Sequence, residues 1–165
     1  MGVFTGIKFL LLEKITIMKN LVFLCIGTTK IIGDSIGPKV GDKLKSRDID
    51  AYVYGNTARQ VTAINVDDYV RMIKLRHASD IIVVIDSALG KLADVGSVKV
   101  TKNGIKPGGA FDKGKERIGD IGILAVVGDA DSDRMKELKT RDEKFIDNLV
   151  DKVVEFANGY MLSLA

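Results

Sequence analysis

The chain has 165 residues, of which 46% are hydrophobic and 28% are charged, and its formal net charge is +3. This composition fits one globular domain with enough apolar side chains to cover both faces of a sheet, and it excludes a disordered chain. Basic and acidic residues are interleaved along the sequence, so we expect no nucleic-acid partner.

Residues 1–19 form an N-terminal extension ahead of a single domain that we predict over residues 20–165. Lys8, Glu13 and Lys14 interrupt the apolar stretches of this extension, which is untypical of a signal peptide. No later stretch is long enough to cross a bilayer. We therefore expect a cytoplasmic protein with no membrane partner.

The first half of the domain alternates apolar runs with amphipathic segments. The run LVFLCI at 21–26 predicts a strand buried on both faces, and a helix follows with Ile36, Val40 and Leu44 pointing inward. Gly37 and Gly41, four residues apart, lie on one side of this helix and permit close approach to the sheet. A short strand is predicted over 50–54, and a second amphipathic helix over 66–77.

The second half continues this alternation. Buried strands are predicted over 80–85 and 121–127, and the alternating run at 96–101 indicates a half-exposed strand that is a candidate antiparallel edge. We interpret residues 129–140 as a surface loop, since Arg134 occupies the position where a calcium loop requires glycine. Thr140 and Glu143 fit a capping box for a last helix, which we expect to stop at Gly159.

Buried strands that alternate with amphipathic helices favour parallel pairing with right-handed crossovers. The sequence therefore predicts an α/β fold, a three-layer α/β/α sandwich with a mostly parallel sheet.

Two acids follow predicted strands at the edge where ligands bind in such sheets. Asp34 lies in GDSIGP after the first strand, and Asp86 lies in IDSALG, directly after the strand at 80–85. If the two strands are neighbours, the carboxylates lie close enough to share a proton, with one acting as a base toward water and the other as an acid. Such a pair hydrolyses a peptide bond without a metal, although it could also hold a divalent cation if a third ligand came from elsewhere.

Structural roles compete with this interpretation. Asp34 could be a simple helix N-cap, and Asp86 could be a loop residue whose carboxylate accepts backbone hydrogen bonds. The only cysteine, Cys25, lies in the first apolar run, where we expect a buried and inert thiol in a reducing compartment. The only histidine, His77, excludes the familiar multi-histidine zinc sites, and we expect no cofactor and no resident metal.

Four segments in this order resemble the YyaC-type sporulation proteins of spore-forming Firmicutes. They are FLCIGTTKIIGDSIGPKVGDKL, VVIDSALGKLADVGSVKV, GIKPGGAF and IGDIGILAVVG. That family is similar to the germination protease of bacterial spores and to the hydrogenase maturation endopeptidases, which share a phosphorylase/hydrolase-like α/β/α fold.

The resemblance implies a sporulation-associated peptidase-like protein that acts on a protein or peptide substrate. Its implied catalytic acids are Asp34 and Asp86, and the residues expected to shape the substrate cleft are Gly27, Gly33, Ser35, Ser87, Pro107 and Gly108. The hydrogenase maturation enzymes also use a histidine to recognise a metal in their substrate, but no histidine follows Asp86 here. One alternative is a non-catalytic protein that binds a peptide or small ligand on the same fold, and another is hydrolysis of a non-peptide substrate. The oligomeric state stays open.

Overall fold

A computed structural model describes residues 19–107 and 116–164 of the chain. The strands are β1 (Leu21–Cys25), β2 (Tyr52–Tyr54), β3 (Ile81–Gly90), β4 (Val98–Thr101) and β5 (Ile121–Asp129). The helices are α1 (Ile36–Ser46), α2 (Val66–Arg76), α3 (Arg134–Lys139) and α4 (Glu143–Leu164). Short 3₁₀ turns lie at Ile32–Asp34 and Leu92–Asp94.

The described strands form one sheet in the order β2-β1-β3-β5-β4. The pairs of β1 with β2, β1 with β3, and β3 with β5 are parallel, whereas β4 runs antiparallel to β5. The mostly parallel α/β/α fold and the antiparallel edge strand are thus confirmed. The central strand β3 is paired on both sides, and β1 is its neighbour, as the interpretation of the two aspartates requires.

Alternate side chains of the central strands divide the core into two layers. Phe23 and Ile85 face α1 and α4, where Ile146 and Leu149 are also buried. Val22 and Val84 face α2, which contributes Val66 and Ile73. The inward positions that the sequence predicted for α1 are fully buried, namely Ile36, Val40 and Leu44. Helices therefore cover both faces of the sheet.

Helix α1 lies unusually close to β1 and to the loop after β2. A Cβ atom at Gly37 would lie 2.0 Å from the carbonyl oxygen of Ile26, and one at Gly41 would lie 1.9 Å from that of Gly55. Real Cβ atoms do not come so near, so only glycine fits at either position. The predicted close approach of this helix is confirmed.

Three boundaries predicted near the C-terminus are wrong. Residues 129–140 are not all loop, because α3 forms within them and Asp133 caps it by accepting a hydrogen bond from Lys136 N–H. The cap of α4 is Asp142, whose carboxylate accepts the N–H of Phe145, whereas the Thr140 hydroxyl donates to the carbonyl of Lys136. Gly159 does not stop α4, which continues to Leu164.

Cys25 is fully buried, and burial raises the pKa of its thiol to about 12. A thiol with that pKa stays protonated at neutral pH, so it is a poor nucleophile, and the expectation of a buried thiol is confirmed. Within residues 19–107 and 116–164, no helix combines the length and apolar character needed to cross a membrane.

Candidate active site

The loop between β1 and α1 holds Asp34 at the carboxyl edge of the sheet. Thr28 N–H donates to the Asp34 backbone carbonyl at 2.9 Å and to its carboxylate Oδ2 at 3.2 Å. Gly27 permits this turn, because its φ is +147° and a Cβ there would lie 2.2 Å from the Asp34 carbonyl oxygen. The interpretation of Asp34 as a helix N-cap is wrong, since Ser35 takes that position and makes no side-chain cap bond.

Asp86 does not follow the end of its strand, as the sequence suggested, but lies inside it. The pairing of β1 with β3 ends at Cys25 and Ile85, whereas the pairing of β3 with β5 continues to Gly90. Asp86 is therefore the first residue of β3 beyond the end of β1. It pairs with Leu124 of β5, so it is a strand residue and not a loop residue, and it is buried, with 8% exposure.

Ser87 joins the two carboxylates. Its hydroxyl donates to Asp34 Oδ1 at 3.3 Å, and its backbone N–H donates to Asp86 Oδ1 at 2.7 Å. One residue thus contacts both acids, although they come from segments more than fifty residues apart in the chain. The neighbourhood that we inferred from the strand ends is present in the fold.

Burial disfavours the charged forms of both acids, and repulsion by Asp34 adds to this effect at Asp86. The pKa of Asp86 is raised well above its usual value, first by burial and then by the negative charge of Asp34. Burial also raises the pKa of Asp34, and this rise is opposed by hydrogen bonds from Ser87 and Thr28 and by the positive charge of Arg134. The pair therefore holds one proton over a range of pH, and that proton resides mainly on Asp86.

A pocket of about 640 Å³ opens over this pair. Of the residues that the sequence assigned to the site, it is lined by Gly27, Asp34, Asp86, Ser87 and Pro107. The pocket is large enough for a few residues of a peptide or for a small molecule.

The remaining assigned residues lie elsewhere. Gly33 packs against α3, where a Cβ would lie 2.7 Å from the Leu138 carbonyl oxygen. Ser35 is buried, and its hydroxyl donates to the Ile32 carbonyl at 2.7 Å, which closes the 3₁₀ turn. Both support the loop that carries Asp34 without lining the pocket. Gly108 lies outside the described residues.

The pocket also contains basic residues that the sequence analysis did not assign to the site. Arg134, Lys106 and Arg117 line it, and the positive charge of Arg134 lowers the pKa of both aspartates. Arg117 is held by hydrogen bonds from its guanidinium to the carbonyls of Asn103 and Gly104. The sequence does contain a signal for the position of Arg134. Asp133 is a typical N-cap residue and precedes the helix-forming run RMKELK, which predicts a helix that begins at Arg134.

His77 belongs to a different cluster. Its Nδ1 lies 2.7 Å from Asp80 Oδ2 and its Nε2 lies 2.9 Å from the Tyr54 hydroxyl oxygen, and it does not line the pocket. In the part of the chain that the structure describes, no three His, Cys, Asp or Glu side chains are grouped to hold a metal ion.

The buried acid gives an expected dependence of stability on pH. Because the pKa of Asp86 is higher in the folded than in the unfolded state, its stabilising contribution is complete at low pH and is lost as pH rises through the folded-state value. We expect Asp86→Asn to flatten this loss and to raise the free energy of unfolding at pH 7 by about 0.5–2 kcal/mol, a range common for stabilising substitutions. Urea unfolding between pH 4 and pH 8 measures both effects.

The exposed Asp50 supplies the matched control. Asp50→Asn also replaces one acid by an amide, but the acid that it removes is exposed and not buried. The free energy of unfolding of this variant should therefore fall with pH as steeply as that of the wild type. If the stability of Asp86→Asn fell with rising pH as steeply as that of the wild type, burial of the Asp86 carboxyl would not be the cause of the loss.

The fold matches those of solved proteases. A [NiFe] hydrogenase maturation protease, HycI from Thermococcus kodakarensis KOD1, superposes with a TM-score of 0.57 at 16% identity, covering 89% of this chain and 96% of that one. HybD, a second maturation protease from Thermococcus kodakarensis, gives 0.52 at 16% identity, covering 86% and 98%. The chain therefore has the fold of the hydrogenase maturation proteases.

Residues 3–155 match the family described as protein of unknown function, DUF1256, and the chain belongs to that family. It is also 36% identical over 110 residues to the uncharacterized protein YyaC of Bacillus subtilis (strain 168). The match covers 66% of this chain and 54% of YyaC, so it spans about half of the length of that relative. The resemblance inferred from the four sequence segments is thus confirmed.

Proposed function

We propose that this protein is a peptidase of spore-forming bacteria in which Asp34 and Asp86 activate water against a peptide bond. The observation that carries the proposal is the contact of both carboxylates with Ser87 in one pocket. Burial raises the pKa of both acids, and the charge of Asp34 raises that of Asp86 further, which favours a single shared proton. Groups with such perturbed pKa values in a cleft are candidates for acid and base catalysis.

The two acids have different environments, which assigns their roles. Asp34 accepts hydrogen bonds from Thr28 and Ser87, which favour its carboxylate form, so it acts as the base that removes a proton from water. Asp86 is the more strongly desolvated acid and keeps the shared proton, which it donates to the carbonyl oxygen as the water oxygen forms a bond to the carbonyl carbon. Asp34 then passes the proton that it took from water to the amine nitrogen, and the C–N bond breaks. A hydroxyl proton of the diol returns to Asp86, which leaves the new carboxylic acid and restores the pair.

Other residues of the pocket support this chemistry. The basic side chain of Arg134 acts on both carboxylates and limits how far their pKa values rise. Gly27 and Pro107 shape the walls of the cleft. The matched structures are named maturation proteases, so peptide-bond hydrolysis is an activity that this fold supports. The role in sporulation is inferred from the four sequence segments that resemble the sporulation proteins.

The test compares proteolysis by three purified proteins in extracts of sporulating cells. Wild type, Asp86→Asn and the surface control Asp50→Asn are each incubated with the extract, and the released peptides are identified by mass spectrometry. We expect fragments that appear with wild type and Asp50→Asn but not with Asp86→Asn. Identical peptide sets from all three proteins would overturn the proposal and favour the binding protein.

A further inference from the structure

Strand β3 presents an unpaired edge next to the acid pair. Beyond Ile85, where β1 stops, β3 continues for five residues, Asp86–Gly90, and among the described residues these pair with β5 on one side only. On the other side the chain of β1 turns away, since Gly27 N–H donates to the Val61 carbonyl instead. Five strand residues extend about 16 Å, enough for pairing with a peptide of similar length.

The direction of the backbone groups follows from the alternation along a strand. Ile85 C=O accepts a hydrogen bond from Ile26 N–H on the β1 side, and Gly90 C=O accepts one from Ala130 N–H on the β5 side, both at 2.8 Å. Residues two apart point the same way, so Ser87 and Leu89 point toward the place that β1 vacates.

Backbone groups on this edge lack partners within residues 19–107 and 116–164. Neither the N–H nor the C=O of Leu89 makes a hydrogen bond there, and the C=O of Ser87 makes none either. The N–H of Ser87 donates to Asp86. Ser87 and Leu89 are half-buried and line the pocket, so their unpaired groups face a cleft rather than open solvent. Half-buried donors and acceptors in this spacing match an extended backbone.

We propose that the substrate binds as an added β-strand beside Ser87–Gly90, in line with the end of β1. Cleavage of the bound segment rests on the proposed function. The substrate class is an extended protein segment without secondary structure of its own. Because Asp86 is the first residue of the unpaired edge and Ser87 contacts Asp34, a peptide on this edge has a backbone carbonyl beside both acids. A helical or folded segment does not offer these hydrogen bonds.

The experiment measures peptide binding without cleavage. A display library of randomised eight-residue peptides is selected on Asp86→Asn, and a selected peptide is resynthesised with one backbone N-methyl group at each position in turn. Strand pairing predicts a loss of affinity of about tenfold or more at every second position and of about twofold or less at those between, because alternate N–H groups face the protein. No selected peptide, or equal effects at all positions, would overturn the proposal.

Variants of the protein give an independent measurement. Leu89→Pro removes the unpaired N–H and Leu89→Ala keeps it, while both shorten the side chain. Proline is tolerated at a strand position whose N–H faces no neighbour, so we expect Leu89→Pro to fold and to bind at least about tenfold more weakly than Leu89→Ala. Equal affinities would overturn the proposal. If Leu89→Pro did not fold, the N-methyl series would still decide.

Cleavage of the selected peptide by the wild type separates this inference from the proposed function. Alternating N-methyl effects without cleavage would support strand addition and contradict the peptidase. Cleavage with no alternation would support the peptidase and contradict strand addition.

Discussion

Asp34→Asn and Asp86→Asn should each lower the rate of peptide hydrolysis by about 10²–10⁴-fold, the range for loss of a positioned acid or base. An asparagine amide in place of Asp86 cannot donate the proton that this acid holds, and one in place of Asp34 cannot accept a proton from water. Both replacements keep the size of the side chain and an oxygen that accepts the existing hydrogen bonds from Ser87. The fold should therefore survive while the chemistry is lost.

The measurement is the initial rate on a quenched fluorescent peptide built around a cleavage site found in the extract experiment. Because the two acids act as a unit, the double variant should be about as slow as either single variant instead of showing the product of both losses. Asp50→Asn serves as the control for a lost surface charge. Losses that multiplied would indicate two independent contributions.

Thermal unfolding of the same variants separates chemistry from structure. Asp86→Asn should be at least as stable as the wild type at pH 7, since it removes a desolvated acid. An equal loss of stability in Asp34→Asn and Asp86→Asn would mean that the acids are structural, and the catalytic assignment would then fail whatever the rates.

The dependence of rate on pH follows from the shared proton. The active form has Asp34 ionised and Asp86 protonated, so the rate should rise as the first proton leaves the pair and fall as the second leaves. Burial and the charge of Asp34 raise the pKa of Asp86, which moves the falling limb well above the usual range for a carboxyl group. Both limbs of the profile of rate against pH report titration of the two coupled acids. Asp34→Asn and Asp86→Asn should therefore each abolish the bell shape of this profile.

The sequence predicted the buried strands and the meeting of the two acids because those features depend on local patterns. Runs such as LVFLCI have the apolar character of strands covered on both faces, and the carboxyl ends of parallel neighbours share one edge of a sheet. Asp34 and Asp86 could therefore be placed together without any knowledge of their distance.

What the sequence could not show depends on pairing between distant segments. Residues 86–90 read DSALG, which has no β-branched residue and a terminal glycine, so propensity predicts a turn there. They form a strand because β5 continues alongside and supplies hydrogen bonds as far as Gly90. The unpaired edge of β3, on which the substrate proposal depends, could not be predicted either, because it exists only where β5 continues and β1 has ended.

Local signals also conflicted near the C-terminus. Thr140 and Asp142 are both residue types that cap helices well. Asp142 caps α4, because the Thr140 hydroxyl already donates a hydrogen bond to the last turn of α3. Among the described residues, a Cβ atom added at Gly159 would have no atom within 4 Å apart from its chain neighbours and the backbone of its own helix, so the helix loses little by continuing through this residue. A glycine is a reliable stop only when the backbone there needs a conformation that other residues avoid.

Gly41→Ala should destabilise the protein by about 1–3 kcal/mol or more, the usual cost of forcing an extra methyl group into a filled space. The new Cβ would lie 1.9 Å from the Gly55 carbonyl oxygen, and that atom is backbone, which cannot rotate away as a side chain does. Helix α1 must then move off β1 and the loop beyond β2. Urea unfolding at pH 7 measures the loss.

Gly159→Ala is the matched control, because it makes the same change within a helix but meets open space. Alanine there should stabilise the protein by about 0.5–1 kcal/mol, since it restricts the unfolded chain and favours helix. If the free energy of unfolding falls in Gly41→Ala and rises in Gly159→Ala, then packing and not helix propensity determines the effect of alanine at Gly41. Because α1 follows directly on the turn that holds Asp34, movement of this helix should also lower the hydrolysis rate of Gly41→Ala, whereas Gly159→Ala should keep the wild-type rate.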